Sequence, residues 1–534
     1  MEHEFNLLTE PWIKVLTPGK TVCEVGLKEL FKKAQHFTGL SGETKTQDFA
    51  VLRILLAIVY TVFSRYDVSG NEIDNEDEEF DPVDQWETIF EQGYFPIEPF
   101  EKYFEKMQER FWLFDEKYPF MQCNAVKGKG NPISTAKLIG SLYESNNKPR
   151  WFSDRNEGGR ILEYAEAARW LLHIISFDDI AAKQPTPKKA WASKLGLVAI
   201  KGDNLFQTLM LNYIADADGE HMSSPFWEEE QNNVFNRLIA VPNNQAALLS
   251  LNSRKVYLCR ENGKVNSYYL AGGDYFEEED LPQEKMTLWR QNKEAKDDMG
   301  RFKPARHIPA KKAWHEFGAI TSCYKADMQD DTSRGIRMPG VVKWSWQKTK
   351  ILNVEMGAVI YDLAQATSIP VIDAISDNLI FHSGILSDKD DALLWRYAIY
   401  EEVEKCEDVA KKISALSINL QKAAGASGDK LTGNDARMVF YDRIDKPFRS
   451  WISSMDPDGV SNLTDKKAEI ENKVYVIARD IANELVGRTG ISAIFASKVG
   501  EDSAISSAQA LNIFIAQVKK ILNVESVGDE VEQK

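Results

Sequence analysis

Cysteine is scarce in this chain. Cys23, Cys123, Cys259, Cys323 and Cys406 are isolated, and none belongs to a C-x-x-C pair. That pattern excludes a zinc ribbon and argues against a disulfide framework. Histidine is scarce as well, and no two of the seven stand at the i, i+4 spacing of a helical metal site. Positive charge is in deficit. A net charge of −16 argues against a free-standing, nonspecific nucleic-acid binder, although it leaves room for local basic surfaces. The longest apolar run, Phe49 to Phe63, is interrupted by Arg53 and is shorter than the roughly 18 residues of a membrane span, so no membrane partner is expected. The acidic opening Met1-Glu2-His3-Glu4 has no signal-peptide core, and a cytoplasmic location is expected.

Catalytic signatures are missing too. The chain has no G-x-x-x-x-G-K-[ST], no G-x-G-x-x-G and no G-x-S-x-G; Gly128-Lys129-Gly130 resembles a phosphate loop only superficially. Asp327, Asp330 and Asp331 could offer carboxylates to a divalent cation, but no second acidic cluster of that kind lies near them, and a solvated turn is the better reading. No catalytic residue, metal or cofactor is therefore expected.

What is present is a chain long enough for two or more domains, with an ordinary apolar and charged content. Its cations are segregated. No acid occurs between Ala181 and Gly202, a stretch carrying Lys183, Lys188, Lys189, Lys194 and Lys201. Two further acid-free stretches run from Arg301 to His315, including Arg306, and from Thr332 to Lys350. The first of the three ends a long segment, Tyr118 to Lys201, in which two loops flank an apolar helix expected at about Arg160 to Ser176. The earlier loop holds Arg150-Trp151-Phe152-Ser153-Asp154. Aromatic side chains beside cations suit contact with base faces and a phosphate backbone. Two solvated surface loops are the alternative.

Along the rest of the chain, Phe49 to Arg65 reads as a buried helix, and Trp86 to Phe114 as aromatic-rich helical segments. Lys255 to Cys259 and Val265 to Leu270 flank Glu261-Asn262-Gly263-Lys264, a hairpin signal. Trp344 and Trp346 alternate in a strand-like run. Beyond about Leu386 proline becomes sparse. Four amphipathic helices are expected over Asp388–Ala424, Asp435–Met455, Thr464–Arg488 and Ser503–Val524, separated by Gly- and Pro-containing breaks. The fold class is therefore α+β: a large irregular mixed N-terminal domain over 1–385, followed by a C-terminal four-helix bundle over 386–534.

Three short blocks carry a resemblance. Phe5-Asn6-Leu7-Leu8-Thr9-Glu10-Pro11-Trp12-Ile13, Tyr118-Pro119-Phe120-Met121-Gln122 and Ser224-Pro225-Phe226-Trp227-Glu228 resemble, in order and spacing, blocks of the CasA family, the large subunit of the type I-E CRISPR Cascade surveillance complex. The length and the bundle extend the match over the chain. The resemblance implies a non-catalytic subunit that docks where the complex holds the crRNA 5′ handle. It implies recognition of the protospacer-adjacent motif (PAM) of target double-stranded DNA, largely from the minor groove, help in opening the duplex, and a platform for the effector helicase-nuclease. Other Cascade subunits are the implied protein partners.

Site residues follow from the same resemblance. The family's Phe-x-Asn loop element falls on Phe152-Ser153-Asp154, with Asp154 in place of Asn and Trp151 beside it. Anchoring of Trp151 and Phe152 to the core is the alternative. The family's Gly-rich PAM loop falls on Ala181 to Leu197, which here is Lys-rich, with Lys183, Lys188, Lys189 and Lys194 and only Gly196 as glycine. Arg306 is added to these as a DNA contact from the charge pattern, as a cation of the second acid-free stretch. Lys264 and Lys285 are the candidates for the family's DNA-contacting lysine. The duplex-opening wedge falls near Asn378 to Gly384, with Phe381 or His382 at its tip; a core Phe381 is equally compatible with the sequence. Two rivals remain open: a cytosolic enzyme with an unrecognised site, and a protein-only helical scaffold.

Overall fold

The structure is a computed structural model. It describes residues 3–74, 80–139, 160–177, 190–217, 222–230, 233–278, 280–291, 302–308, 311–323, 337–361, 371–426, 431–459, 462–495 and 505–524. These fall into two compact units. The first draws on Met1–Pro309, Arg337–Lys348 and Asn353–Asn378, the second on Ala310–Ile336, Thr349–Leu352 and Leu379–Lys534.

The first unit is built around the helix Lys45–Phe63. Thr44 caps it by accepting a hydrogen bond from the Gln47 amide, and nearly every side chain after the first turn is buried. By length and composition this helix could cross a membrane, but it lies inside the unit and is its core. Burial of each large apolar side chain contributes about 1.5–3 kcal/mol. Against it pack the helices Tyr164–Phe177 and Gln245–Leu249. The helices Pro82–Gln92 and Ile97–Met107 follow, and Phe95 between them and Phe100 in the second meet Phe31 and the central helix's Phe63 in an aromatic cluster at centroid separations of 4.3–6.2 Å. Asp81 and Pro82 start the first of these helices, and left-handed Gly93 stops it.

The strands form small separate sheets. Ile13–Leu16 pairs with Val22–Val25 and Gly39–Leu40. The hairpin Arg254–Glu261/Lys264–Gly272 turns on Asn262 and Gly263, both at positive φ, as an Asn-Gly turn between twisted strands requires. Ile351–Tyr361 lies between Val371–His382 and Leu197–Ile200. Two expectations are corrected. Trp112–Phe114 is a strand, paired with Glu4–Asn6, and closes the helical region. Gly340–Ser345 is a helix opened by Pro339; Val341, Val342 and Ser345 share its buried face, and Trp344 sets its ring edge-on to Trp86.

The second unit contains the bundle: Asp390–Ala423, Asn434–Ser453, Leu463–Gly487 and Ser507–Leu522. Ile470, Val474 and Ile481 are buried along one helix, and Ala510, Phe514 and Val518 along another. Glu402, inside the bundle, is pushed up to about 7 by burial, although Lys405 lies 2.8 Å away. Earlier chain joins this unit. Trp314 donates to Asp445 at 3.0 Å and packs at a tilt against Phe448, and Phe381 packs edge-on against Phe317.

Candidate nucleic-acid interface

The three motif blocks build core structure in the first unit. Trp12 donates its indole N–H to the Leu7 carbonyl, and Leu7 hydrogen-bonds to the Phe111 carbonyl. The Phe120 ring stacks on Phe111 at 5.5 Å and approaches Trp227 to 5.7 Å. Trp227 donates to the Tyr103 hydroxyl, which donates to Glu228 at 2.8 Å; Arg65 clamps the same carboxylate with two bonds of 3.0 and 2.7 Å. Gln122 joins the hairpin to this cluster: its amide donates to the Leu113 carbonyl and accepts from the Leu258 amide. These side chains are buried or half-buried and belong to the core of the first unit.

The basic loop re-enters the described structure at Ala190. It is moored there by Trp191, which donates its indole N–H to Glu284 Oε2 at 2.7 Å. Glu284 also receives both Arg53 guanidinium nitrogens at 3.2 Å and the Met286 amide at 3.1 Å. The ion pair is almost fully enclosed, with side-chain exposures of 3% and 1%. Its enclosure ties the end of the loop to the central helix. Lys194 lies along the Trp191 ring, its ammonium 5.6 Å from the centroid.

Gly196 marks a junction. Its carbonyl accepts from the Leu288 amide, and the Leu288 carbonyl accepts from Ala305. A Cβ at Gly196 would collide with the Ala305 carbonyl and lie 3.4 Å from the Arg306 Cα. Only glycine allows this approach. The end of the loop and Arg306 therefore meet at one place, and both Lys194 and Arg306 are half-buried. Buried His307, next in the chain, bonds through Nε2 to the Leu197 carbonyl at 2.9 Å, and burial holds its pKa below the usual value. The strands Trp289–Gln291 and Phe302–Pro304 leave from this junction and set Arg290 directly opposite Lys303. Like charges so placed repel, so an anion between them would relieve the ribbon.

Other cations of the acid-free stretches are engaged. Arg337 pairs with Asp280 and lies over the Trp289 and Phe302 rings, and Lys348 meets Glu87 at 2.6 Å. In the second unit Lys311 meets Glu407 at 3.1 Å. Lys264 pairs with Glu163 at 2.7 Å, and the Lys285 side chain lies against Gly340. The separation of charge along the chain is partly undone by folding.

Trp151, Phe152, Asp154, Lys183, Lys188 and Lys189 lie outside the described residues, as do Asp327, Asp330 and Asp331. The two wedge candidates are described, and they part company. Phe381 is fully buried, which corrects the expectation of an exposed tip: a core ring packed on Phe317 cannot enter a base step. His382 is half-buried. Its Nδ1 accepts from the Gly384 amide at 3.1 Å, capping the short helical turn Ser383–Leu386, and its Nε2 faces Asp456 at 3.6 Å. His382, Asp456 and Asp458 bring ligand-type atoms within 4.8 Å of one another. Because Nδ1 accepts, neutral His382 carries its proton on Nε2, toward Asp456. That tautomer suits a hydrogen bond and withholds the lone pair a metal would need.

The family model for CRISPR-associated protein Cse1 matches residues 6–481. A CRISPR-associated protein CasA/Cse1 of Thermus thermophilus is 30% identical over 230 residues, which is 42% of each chain. Cse1 of Thermobifida fusca has the same fold, with a TM-score of 0.79 at 23% identity over 97% of this chain and 98% of that one. A chain of a CRISPR RNA-guided surveillance complex superposes with a TM-score of 0.70 at 14% identity over 98% of this chain and 100% of that one.

Proposed function

The chain belongs to the Cse1 (CasA) family, the large subunit of the CRISPR Cascade surveillance complex, and on that premise we propose that it checks the PAM of target double-stranded DNA, helps to open the duplex beside it and provides the platform for the effector helicase-nuclease. On this reading it is a type I-E, cytoplasmic, DNA-binding subunit whose partners are the other Cascade subunits, the crRNA 5′ handle, the target duplex and the effector. Guide pairing supplies most of the sequence information, and the protein adds a short check. No chemistry is asked of its own side chains.

The observation that carries the reading is the junction at Gly196. It joins the end of the Lys-rich loop to Arg306 and to the opposed pair Arg290 and Lys303. A cationic site anchored on a rigid, buried ion pair is what docking on a phosphate backbone needs. The Lys183, Lys188 and Lys189 side chains, in the same loop, would extend it. His382 takes the wedge role that buried Phe381 leaves.

One observation favours a protein-only scaffold: Lys311, Arg337 and Lys348 are already occupied by acids. A single experiment separates the readings. Replacing Lys183, Lys188 and Lys189 by Ala should weaken binding of the assembled complex to a PAM duplex. It should also make the salt dependence shallower by up to about one unit per lost phosphate contact. An unchanged slope would favour the scaffold.

A further inference from the structure

The hairpin Arg254–Glu261/Lys264–Gly272, with Ile133–Ser134 on its far edge, is a three-stranded sheet with two different faces. Val256, Leu258 and Tyr268 are buried on one face, against which the helix Tyr164–Phe177 packs. On the other, Tyr257 stands directly opposite Tyr269, and both rings are half-buried. Two exposed lysines from a single turn lie over this side. The Lys127 ammonium is 5.1 Å from the Tyr257 centroid, and that of Lys129 is 4.3 Å from the centroid of Phe235, which is also half-buried. Phe235 lies outside the sheet, in the segment whose Asn236 amide bonds to the Gly272 carbonyl at the end of the hairpin, and Gly128 and Gly130, with φ of +75° and +82°, flank Lys129 in the turn. Neither lysine meets a carboxylate among the described residues. The sequence around them has no acid from Tyr118 to Tyr143, in a chain of net charge −16.

We propose that this sheet face, with the adjoining Phe235, is a platform for a single-stranded nucleic acid, with bases stacking on Phe235, Tyr257 and Tyr269 and phosphates met by Lys127 and Lys129. Aromatic rings on an open sheet face provide stacking surfaces for any base, and mobile cations at the rim follow the backbone. A duplex hides its base faces and cannot use the rings. The lysines now cover two of the rings as exposed cation–π contacts. Such contacts are weak enough for an arriving base to displace, after which the ammonium groups are free to meet the flanking phosphates. The neighbouring Tyr257 side chain raises the Lys127 pKa above its ordinary value. The platform shares no residue with the Gly196 junction and does not depend on the duplex reading.

The test uses the full chain and fluorescence anisotropy with labelled 12-mers of oligo-U RNA and oligo-dT DNA, and with a 12-base-pair duplex, across a salt series. Both strands should bind, their ratio identifies which sugar the face prefers, and the duplex reports the separate Gly196 junction. The double variant Lys127→Glu with Lys129→Glu, which changes only exposed side chains, should weaken strand binding at least tenfold. It should also flatten the salt slope by about 1.4 units for two lost phosphate contacts. Tyr257→Phe with Tyr269→Phe should bind within about twofold of wild type, because the rings are kept, whereas the double Ala variant should lose at least tenfold. Absence of strand binding, or a charge-reversed variant with unchanged affinity and slope for the strands, would each overturn the proposal. Should the Ala variant fail to fold, the charge reversal and the Phe pair still decide.

Discussion

Glu284→Gln is the most informative single change in the first unit. The wild-type carboxylate accepts two bonds from Arg53, one from Trp191 and one from the Met286 amide, all in an enclosed site. Glutamine keeps one oxygen and adds an N–H₂ that faces donors. Arg53 would then keep its charge in a site where its side chain is 3% exposed, facing one amide oxygen and the Leu248 carbonyl at 3.3 Å but no carboxylate. Breaking a buried pair from one side costs about 3–5 kcal/mol. Guanidinium melts monitored by tryptophan fluorescence should show that loss in the first unit. Removing both charges, with Arg53→Met and Glu284→Met, should recover most of it, because the desolvation cost of the pair disappears with the pair. A double-mutant cycle gives the coupling. Because Trp191 moors the basic loop through the same carboxylate, the single variant should also weaken PAM-duplex binding by the assembled complex. A loss below about 1 kcal/mol, the range of exposed pairs, would show that the site is wet and that the mooring argument is wrong.

Other outcomes follow from single residues. Phe381→Ala should destabilise the second unit by about 3–5 kcal/mol in the same assay, as for a buried aromatic ring; a loss near zero would return Phe381 to the surface. His382→Ala should fold, bind a PAM duplex normally and slow R-loop formation on fully paired targets, and a target mismatched beside the PAM should rescue it; a normal rate on paired DNA would place the wedge elsewhere. Burial lowers the His173 pKa to about 4. Its neutral form is therefore favoured in the fold, and its contribution is complete above the unfolded value of about 6.5 and lost as pH falls toward 4. The stability difference between wild type and His173→Gln should shrink over that window, and a constant difference would contradict the assignment. The purified chain should not cleave DNA with Mg²⁺ or hydrolyse ATP; cleavage abolished by Asp330→Ala with Asp331→Ala would contradict a non-catalytic role.

Local periodicity made the bundle legible. Ile470, Val474 and Ile481 recur on one helical face and are buried there. In the last helix Ala510, Phe514, Val518 and Leu522 are inside, while Leu511 and Ile515, apolar as well, are half-buried at the edge of the stripe. The hairpin was readable because Asn262-Gly263 favours one turn. Trp344 and Trp346 misled, since their alternate spacing imitates a strand while Pro339 and the buried Val341, Val342 and Ser345 set a helix. The charge pattern was the least legible feature. Lys311 finds Glu407, Arg337 finds Asp280 and Arg53 finds Glu284, pairings over long separations that no local window displays. Gly196 could be noticed as the single glycine of its loop, but the approach of Ala305 that demands it belongs to the tertiary structure. The surface of Tyr257, Tyr269, Lys127 and Lys129 escaped notice for the same reason: the turn and the hairpin lie more than a hundred residues apart in sequence.

Reconstituting Cascade with and without this chain tests the central claim most directly, with three targets that match the guide: a duplex with the cognate flanking motif, a duplex with that motif changed, and a single strand. The chain should be needed to bind and open the cognate duplex, should discriminate against the changed motif, and should be dispensable for the single strand, which needs no motif check and no opening. Equal binding of both duplexes with or without the chain would contradict it.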